Sequence, residues 1–330
     1  MGVCPGGMAR SAATWHARRV TPDVDLKHMR YFVAVADEGT FTRAAERLGM
    51  TQPALSRAIR TLENAVGTAL FVRRPQGAAL TEAGRQLCRD ARCLVEAAEA
   101  ALNRAARFGR EEPHLRVTAR ACDVEPLHRL VDSYNARCPD GLPARAAIVA
   151  VSVQAPEVRA GEADVTLLRS PFDHRGMDSD LLRTDARVAI LPESHPLAGR
   201  EVIHRSELAG EAFPVWPELT PAAMAFWTGT DVDDHDWRPG PVVHDTAQFT
   251  GSIRLGQAVG FVARTHLPER PADGTVFVPV VGLSGSELRI AWASAATSPD
   301  VARFVRHATE QATEALGAGR AAEVSAAHPA

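Results

Sequence analysis

From Leu26 onward the apolar residues recur at helical spacing. "LKHMRYFVAVADEG" places Leu26, Met29, Phe32, Val33 and Ala36 on one face, and Gly39 ends the run. "TFTRAAERLG" predicts a second, shorter helix with Phe41, Ala44, Ala45 and Leu48 turned inward; its alanines let a neighbouring helix come close. Gly49 closes the turn, where a positive φ is cheap only for glycine. "TQPALSRAIRTLENAVG" follows, with Thr51 as N-cap and Pro53 in the first turn, where its missing N–H costs nothing. Leu55, Ile59, Leu62 and Val66 form one apolar stripe; the far side carries Pro53, Arg57, Arg60 and Asn64, flanked by Gln52 and Ser56. "ALFVRRPQGAALT" reads as two short strands around a Pro-Gln-Gly turn, with Arg73 and Arg74 on the resulting wing.

"TEAGRQLCRDARCLVEAAEAALNRAARF" predicts a long helix capped by Thr81. Leu87, Ala91, Leu94, Ala98, Ala101, Ala105 and Phe108 alternate by four and three, a heptad seam that Cys88, Val95 and Leu102 widen. A small-residue seam on a lone, charged helix calls for a second helix, so a homodimer is expected. "GREEPH" then forms a hinge. Beyond it, "LRVTA", "EPLHRLVDSYNARCP", "ARAAIVAV", "QAPEVRAGEA" and "DVTLLRS" alternate strand and helix, which implies an α/β parallel sheet. A second such unit runs to "TVFVPVVGLSGSELRIAWA", two strands, and a terminal helix.

Charge sharpens this picture. The formal net charge of the 330 residues is -3, yet residues 25–108 carry +4 and residues 114–330 carry −8. A basic front and an acidic back suggest an anionic partner for the front alone. Arg and Gln at the N-terminal end of a helix offer paired donors and acceptors to base edges in a major groove, and the helix terminus attracts phosphate. No apolar run approaches the roughly 20 residues of a membrane span. The first residues lack the apolar core of a signal peptide, which assigns the chain to the cytoplasm by default and sets no membrane partner. The five cysteines (Cys4, Cys88, Cys93, Cys122, Cys138) form no CxxC pair, which argues against a disulfide scaffold and a zinc site.

Over Leu26 to Arg85 the residues "RYFVAVADEGTFTRAAERLGMTQPALSRAIRTLE" and "LFVRRPQGAALTEAG" resemble the LysR-type transcriptional regulator family. "VRAGEADVTLLR", "LPESHPLAG" and "GSIRLGQAVGFVAR" extend the resemblance more weakly over 115–312. It implies a winged helix-turn-helix, a long linker helix and a two-lobed α/β effector domain like periplasmic binding proteins. The divisions expected are a disordered leader 1–24, a DNA-binding domain 25–80, a linker helix 81–108, a hinge 109–114, an effector domain 115–312 and a flexible tail 313–330. It further implies double-stranded DNA with a pseudo-palindromic operator, a homodimer that pairs into a dimer of dimers, contact with RNA polymerase, and no enzyme activity or cofactor. On the family pattern Gln52, Pro53, Ser56, Arg57 and, on the same face, Arg60 meet DNA from the recognition helix. Thr40, Thr42 and Arg43 approach the backbone, as do Arg73 and Arg74 from the wing. Leu87, Ala91, Leu94, Ala98 and Ala101 make the dimer seam. The effector is expected between the lobes against "RACD" and "VSVQ", which offer Arg120, Ala121, Cys122, Ser152 and Gln154, with Trp216, Thr246 and Phe249 on the far wall. Arg120 or Arg169 would hold a carboxylate effector.

Two other readings stay open. Cys122 beside Arg120 allows a redox-sensing regulator of the same architecture. A ligand-binding module with a vestigial DNA domain is the other, against which the basic front argues. "DVDDHDW" at 231–237 has metal-like content but reads as a solvated loop, and His195 before Pro196 reads as a turn. No G-x-S-x-G elbow or phosphate-binding glycine loop appears.

Overall fold

The structure, a computed structural model, describes residues 24–74, 77–110, 112–267 and 273–326, with side chains throughout except at 73, 74 and 316–326. The expected leader, apart from residue 24, lies outside the described residues. The chain divides into two compact units that part between Val95 and Glu96.

The first unit begins with α1 (Leu26–Glu38), whose N-cap Asp25 accepts the backbone N–H of Lys27 and His28 and whose end is Gly39 at φ 66°. Its inward face is turned slightly from the expected one: Phe32, Ala34 and Val35 are buried, while Met29, Val33 and Ala36 form the rim. In α2 (Phe41–Arg47) Ala44 and Ala45 are buried. In α3 (Gln52–Val66) Leu55, Ile59 and Leu62 are buried, but Val66, at the last turn, is exposed. Thr51 occupies the N-cap position without a side-chain cap bond, contrary to expectation. The hairpin pairs β1 (Phe71–Arg74) with β2 (Gly77–Leu80), antiparallel, Arg73 opposite Ala78 and Arg74 opposite Gly77. Phe71 fastens the wing by packing 5.2 Å from the Phe32 ring and 5.7 Å from Phe41. Each such fully buried leucine or phenylalanine stabilises the unit by about 1.5–3 kcal/mol relative to exposure.

The long helix α4 runs Glu82–Arg110, so it continues through Gly109 instead of stopping at 108. Thr81 caps it, accepting the Gly84 N–H at 2.9 Å and donating to the Ala69 carbonyl at 2.8 Å.

The second unit contains β3 (Leu115–Ala119), α5 (Val124–Arg137), β4 (Ala144–Ile148), α6 (Val151–Arg159), β5 (Val165–Arg169), β6 (Met177–Asp185), β7 (Arg187–Pro192), β8 (Ile203–His204), β9 (Ala212–Val215), α7 (Pro221–Thr228), β10 (Arg238–Val242), α8 (Thr246–Arg254), β11 (Gly260–Ala263), β12 (Thr275–Val281), β13 (Ser286–Ala293) and α9 (Pro299–Ala326). They build two lobes. Lobe 1 is a five-stranded sheet in the order β4-β3-β5-β13-β6; lobe 2 is centred on a four-stranded sheet in the order β11-β7-β12-β8. The purely parallel sheet expected from strand-helix alternation is corrected. β3 runs parallel to β4 and β5, but β13 is antiparallel to β5 and β6. The chain passes between lobes at Ala186, from β6 to β7, and returns after β12 to β13. The returning strand must run opposite to the β5 strand it joins.

Lobe 1 packs Leu127, Leu130, Val131 and Tyr134 of α5 and Phe304 of α9 on its sheet, with Tyr134 and Phe304 edge to face at 4.9 Å. The second half of α4 is tied to this lobe: Asn103 donates to the Ala160 carbonyl at 2.8 Å, and Arg107 to both Asp164 oxygens at 2.7 and 2.6 Å. Helix α9 extends to Ala326, past the point where a tail was expected.

Gly84 gives a sharp test of the first unit. A Cβ there would press into the Leu70 carbonyl oxygen, which is backbone and has little room to yield. In an open helix Gly→Ala stabilises by up to ~1 kcal/mol. Here Gly84→Ala is expected to destabilise by about 1–3 kcal/mol, measured as a lower midpoint in thermal or urea unfolding followed through the helical signal.

Candidate functional site

The exposed face of α3 carries Gln52, Pro53, Arg57 and Arg60. Among the described residues, no side-chain partner engages the Arg57 or Arg60 guanidinium, so their donors stand free. Ser56 departs from expectation: it is buried, and its Oγ accepts the Gln52 side-chain amide at 2.8 Å. Four residues is one helical turn, so Ser56 lies beneath Gln52 and fixes its amide instead of offering a hydroxyl outward. Thr40 caps α2, accepting the Arg43 N–H at 3.2 Å. Thr42 and Arg43 are exposed. Arg43 donates to the Glu38 carbonyl at 2.7 Å and stands 3.4 Å from its carboxylate, so part of its charge is already answered. Glu63, on α3, accepts the Leu70 and Phe71 N–H groups at 2.8 and 3.3 Å, which sets the wing's start against the helix. Arg73 and Arg74 are placed on β1 by backbone alone.

The expected dimer seam divides along α4. Ala91 and Cys88 are buried in the first unit's own core, and Leu87, half-buried, packs against it. Leu94 is 54% exposed, Leu102 65%, and Ala101 and Ala105 are exposed too, with Ala98 half-buried. The free stripe therefore begins near Leu94.

In the second unit the turn Ala121–Asp123, between β3 and α5, meets lobe 2. Cys122 Sγ lies 3.8 Å from Thr246 Oγ1, the first residue of α8. The Arg120 guanidinium lies over the Trp227 ring, 5.7 Å from its centre. Trp227 and Trp216 both neighbour Phe249, at 6.5 and 6.0 Å; Phe249, expected on the far wall, is instead buried in the lobe 2 core, and the two indoles lie against it. Trp227 was not foreseen; the apolar run "PAAMAFWT" on α7 was the available signal. Two buried arginines hold α7 in place. Arg187 donates to the Phe226 carbonyl and to Asp231 at 3.1 Å, and Arg205 donates to the Thr228 carbonyl at 3.0 Å. Asp231, the first residue of the metal-like loop, is thus a structural partner of Arg187 and Ser284. Burial pushes the Arg187 guanidinium down from its ordinary range, and the Asp231 charge opposes this. Among the described residues no group of three His, Cys, Asp or Glu side chains is placed to hold a metal ion.

Arg169 is corrected as a ligand-holding residue. It is buried, and all its donors are used: Nε and Nη2 on Asp123 Oδ1 at 3.0 and 2.8 Å, Nη2 also on Thr265 Oγ1 at 3.4 Å, and Nη1 on Asp185 at 2.7 Å and Ser286 Oγ at 3.0 Å. Gln154 is corrected too. Its amide is buried and donates to Thr166 Oγ1 at 3.1 Å and to the Leu167 carbonyl at 2.6 Å, pinning α6 to β5. Ser152, in the first turn of α6, and Ala121 are exposed. Arg120 retains capacity: among the described residues only its Nε has a hydrogen-bond partner, Asp123 Oδ2 at 3.0 Å.

Asp123 is wholly buried and also receives His266 Nε2 at 2.9 Å. Burial alone would raise its carboxyl. The hydrogen bond from His266 and the charges of Arg120 and Arg169 outweigh burial, and hold the carboxyl well below the usual range. His266 is pushed down, chiefly by burial, against the raising effect of Asp123.

A separate groove of about 570 Å³ lies between the last turns of α4 and strand β4, lined by Arg107, Arg110, Arg116 and Arg145 among others. Three of these arginines are already paired, with Asp164, Glu157 and Glu112. Cys122 and Cys138 flank opposite ends of α5, about 24 Å apart, too far for a bond between them.

Residues 26–85 match the family model described as "Bacterial regulatory helix-turn-helix protein, lysR family", and residues 108–313 match "LysR substrate binding domain". The "Hca operon transcriptional activator HcaR" of Escherichia coli (strain K12) is 32% identical over 289 residues, covering 86% of this chain and 96% of that protein. "HTH-type transcriptional regulator ShiR" of Corynebacterium glutamicum (strain R) is 29% identical over 280 residues, 82% and 92% of the two chains. In fold, the chain is similar to full-length CbnR in complex with its target DNA (TM-score 0.50, 22% identity, covering 88% of this chain and 100% of that one) and to full-length BenM (0.50, 20%, 88% and 97%). With both of its units matched in order, the chain belongs to the LysR family of bacterial transcriptional regulators, joining a helix-turn-helix DNA-binding domain to an effector-sensing domain.

Proposed function

We propose that α3 is the recognition helix and that Gln52, Pro53, Arg57 and Arg60 face the major groove, with Thr40, Thr42 and Arg43 on the DNA backbone and Arg73 and Arg74 reaching it from the wing. The observation that carries this is the pair of unengaged guanidinium groups on the exposed face of α3. A desolvated guanidinium needs acceptors, and a phosphate or a guanine edge supplies two at once. Ser56 acts through Gln52, by holding its amide in one orientation. Leu94, Ala98 and Ala101, with Leu102 and Ala105, are the face that a second copy covers. Two-fold symmetry then places two recognition helices on a pseudo-palindromic site, and dimers pair on longer DNA. The E. coli relative's name supports activation of an operon, for which contact with RNA polymerase is the simplest route.

The effector, in this reading, is a small carboxylate with a flat apolar body. Arg120 takes the charge on its terminal nitrogens, which have no partner among the described residues, and Trp227 and Trp216 face the body, with Ala121, Cys122, Ser152 and Thr246 around it. Two indole rings backed by Phe249, beside one arginine, favour a ligand of this kind over a redox signal at Cys122.

Two outcomes follow. Arg57→Ala should weaken binding to the DNA upstream of the protein's own gene by about 10-fold or more, with a shallower dependence on salt, measured by fluorescence anisotropy across a salt series. Arg120→Ala should abolish the thermal stabilisation that aromatic carboxylates give the unaltered protein, while leaving DNA affinity within about twofold; loss of both together would show a folding defect instead.

A further inference from the structure

The cleft is bridged where its ligand is expected to sit. Asp123 belongs to the lobe 1 turn that carries Arg120 and Cys122, whereas His266 follows β11 in lobe 2. Their 2.9 Å contact crosses between the lobes, as does that of Cys122 with Thr246 at 3.8 Å. Behind them, Thr265 of lobe 2 donates to Asp185 at 2.9 Å, at the crossover from β6 to β7. Arg169, at the end of β5, braces Asp123 and Asp185 together.

The two oxygens of Asp123 face different tasks. Oδ2 takes Nε of Arg120 at 3.0 Å. With Nε held and the guanidinium over Trp227, the remaining edge, Nη1 and Nη2, is the one left for an incoming carboxylate. Oδ1 takes His266 Nε2, together with Arg169. An ionised carboxylate only accepts, so Nε2 of His266 carries the proton in this contact.

We propose that Asp123 is the positioning residue of the effector cleft, its Oδ2 aiming Arg120 at the ligand's carboxylate while its Oδ1 clasps His266 and holds the two lobes together. The inference rests on the reading of the cleft as a carboxylate site. A ligand that enters must part Cys122 from Thr246, and any shift of Arg120 is felt at the same carboxylate that grips lobe 2. Anion recognition and lobe position are therefore coupled through one buried side chain, with no chain of intermediates between them.

The clasp is tested on the full-length protein carrying Thr246→Cys, by the rate at which oxidised glutathione links the new thiol to Cys122; the oxidant takes up the two electrons and two protons released. His266→Leu removes the donor to Asp123 and should slow trapping about tenfold or more, whereas His266→Gln, which can donate from its amide, should bring the rate back to within about threefold. Equal rates in all three proteins would overturn the clasp. The aiming role is tested with benzoate as probe, titrated by tryptophan fluorescence. Asp123→Asn and Arg120→Lys should each weaken benzoate about tenfold or more, and His266→Gln should not. Should Asp123→Asn fail to fold, Arg120→Lys alone decides, because lysine keeps the charge but lacks the Nε that Asp123 holds. Benzoate binding unchanged in Arg120→Lys would overturn the aiming role. Benzoate that does not bind the unaltered protein at millimolar concentration would count against the carboxylate reading of the cleft itself, and the trapping rates would still decide the clasp.

Discussion

A carboxylate with no exposure to solvent cannot stay ionised without partners, and Asp123 has three. Taking such a charge out of water costs several kcal/mol unless its lone pairs are filled. That constraint organises the second unit. Arg120 lies three residues away, Arg169 46 residues away and His266 143 residues away. Satisfying one buried group thus requires the first lobe's turn, the end of β5 and the second lobe to meet at one place. The two indoles of lobe 2, the crossover at Asp185 and the terminal edge of Arg120 are arranged around that meeting point. Removing one partner would leave a buried charge uncompensated, so the cluster favours a single arrangement of the lobes over a range of them.

The first unit rests on a different principle. Its helices are short, and isolated helices of 7 to 15 residues are marginal in water. They persist because Phe32, Leu55, Ile59, Leu62 and Phe71 share one core. The alanines of α2 let the helices pack closely, and the first turns of α4 close the core with Ala91 and Cys88. The polar face of α3 is left over from this packing. Folding fixes which side of the helix is free, and the free side is where arginine and glutamine stand.

Much of this was legible in the sequence, because its signals are local. The glycines at 39 and 49 take positive φ as their turns require. The Asp25 cap, which was not foreseen, and the Thr81 cap, which was, are read within four residues of their helices. The apolar spacing of α3 gave three of its four core residues. Long-range partners were not legible. Arg169 resembles a ligand-binding arginine until Asp123, Asp185 and Ser286 are seen to use its donors. Ser56 appears as a flank residue on a helical projection, but the neighbouring core covers it and gives it Gln52 as partner. The heptad of α4 is real, but periodicity cannot tell which turns meet the protein's own core and which remain free; Leu87 and Leu94 fit the pattern equally and differ in what surrounds them. Strand β6 escaped notice because "MDSDLLRTD" lacks the continuous apolar run of the other sheet strands. It pairs along β13, whose antiparallel pairing with β5 is what makes the sheet mixed.

A symmetric pair of these chains is proposed to press two copies of α3 into DNA. The most direct measurement is a hydroxyl-radical footprint of the full-length protein on the DNA upstream of its own gene. Two protected half-sites of related sequence are expected, with a dyad between them and centres one helical turn, about 10 base pairs, or a multiple of it apart. Protection of a single half-site, or two sites without a dyad at a spacing that is no multiple of the turn, would contradict that pairing.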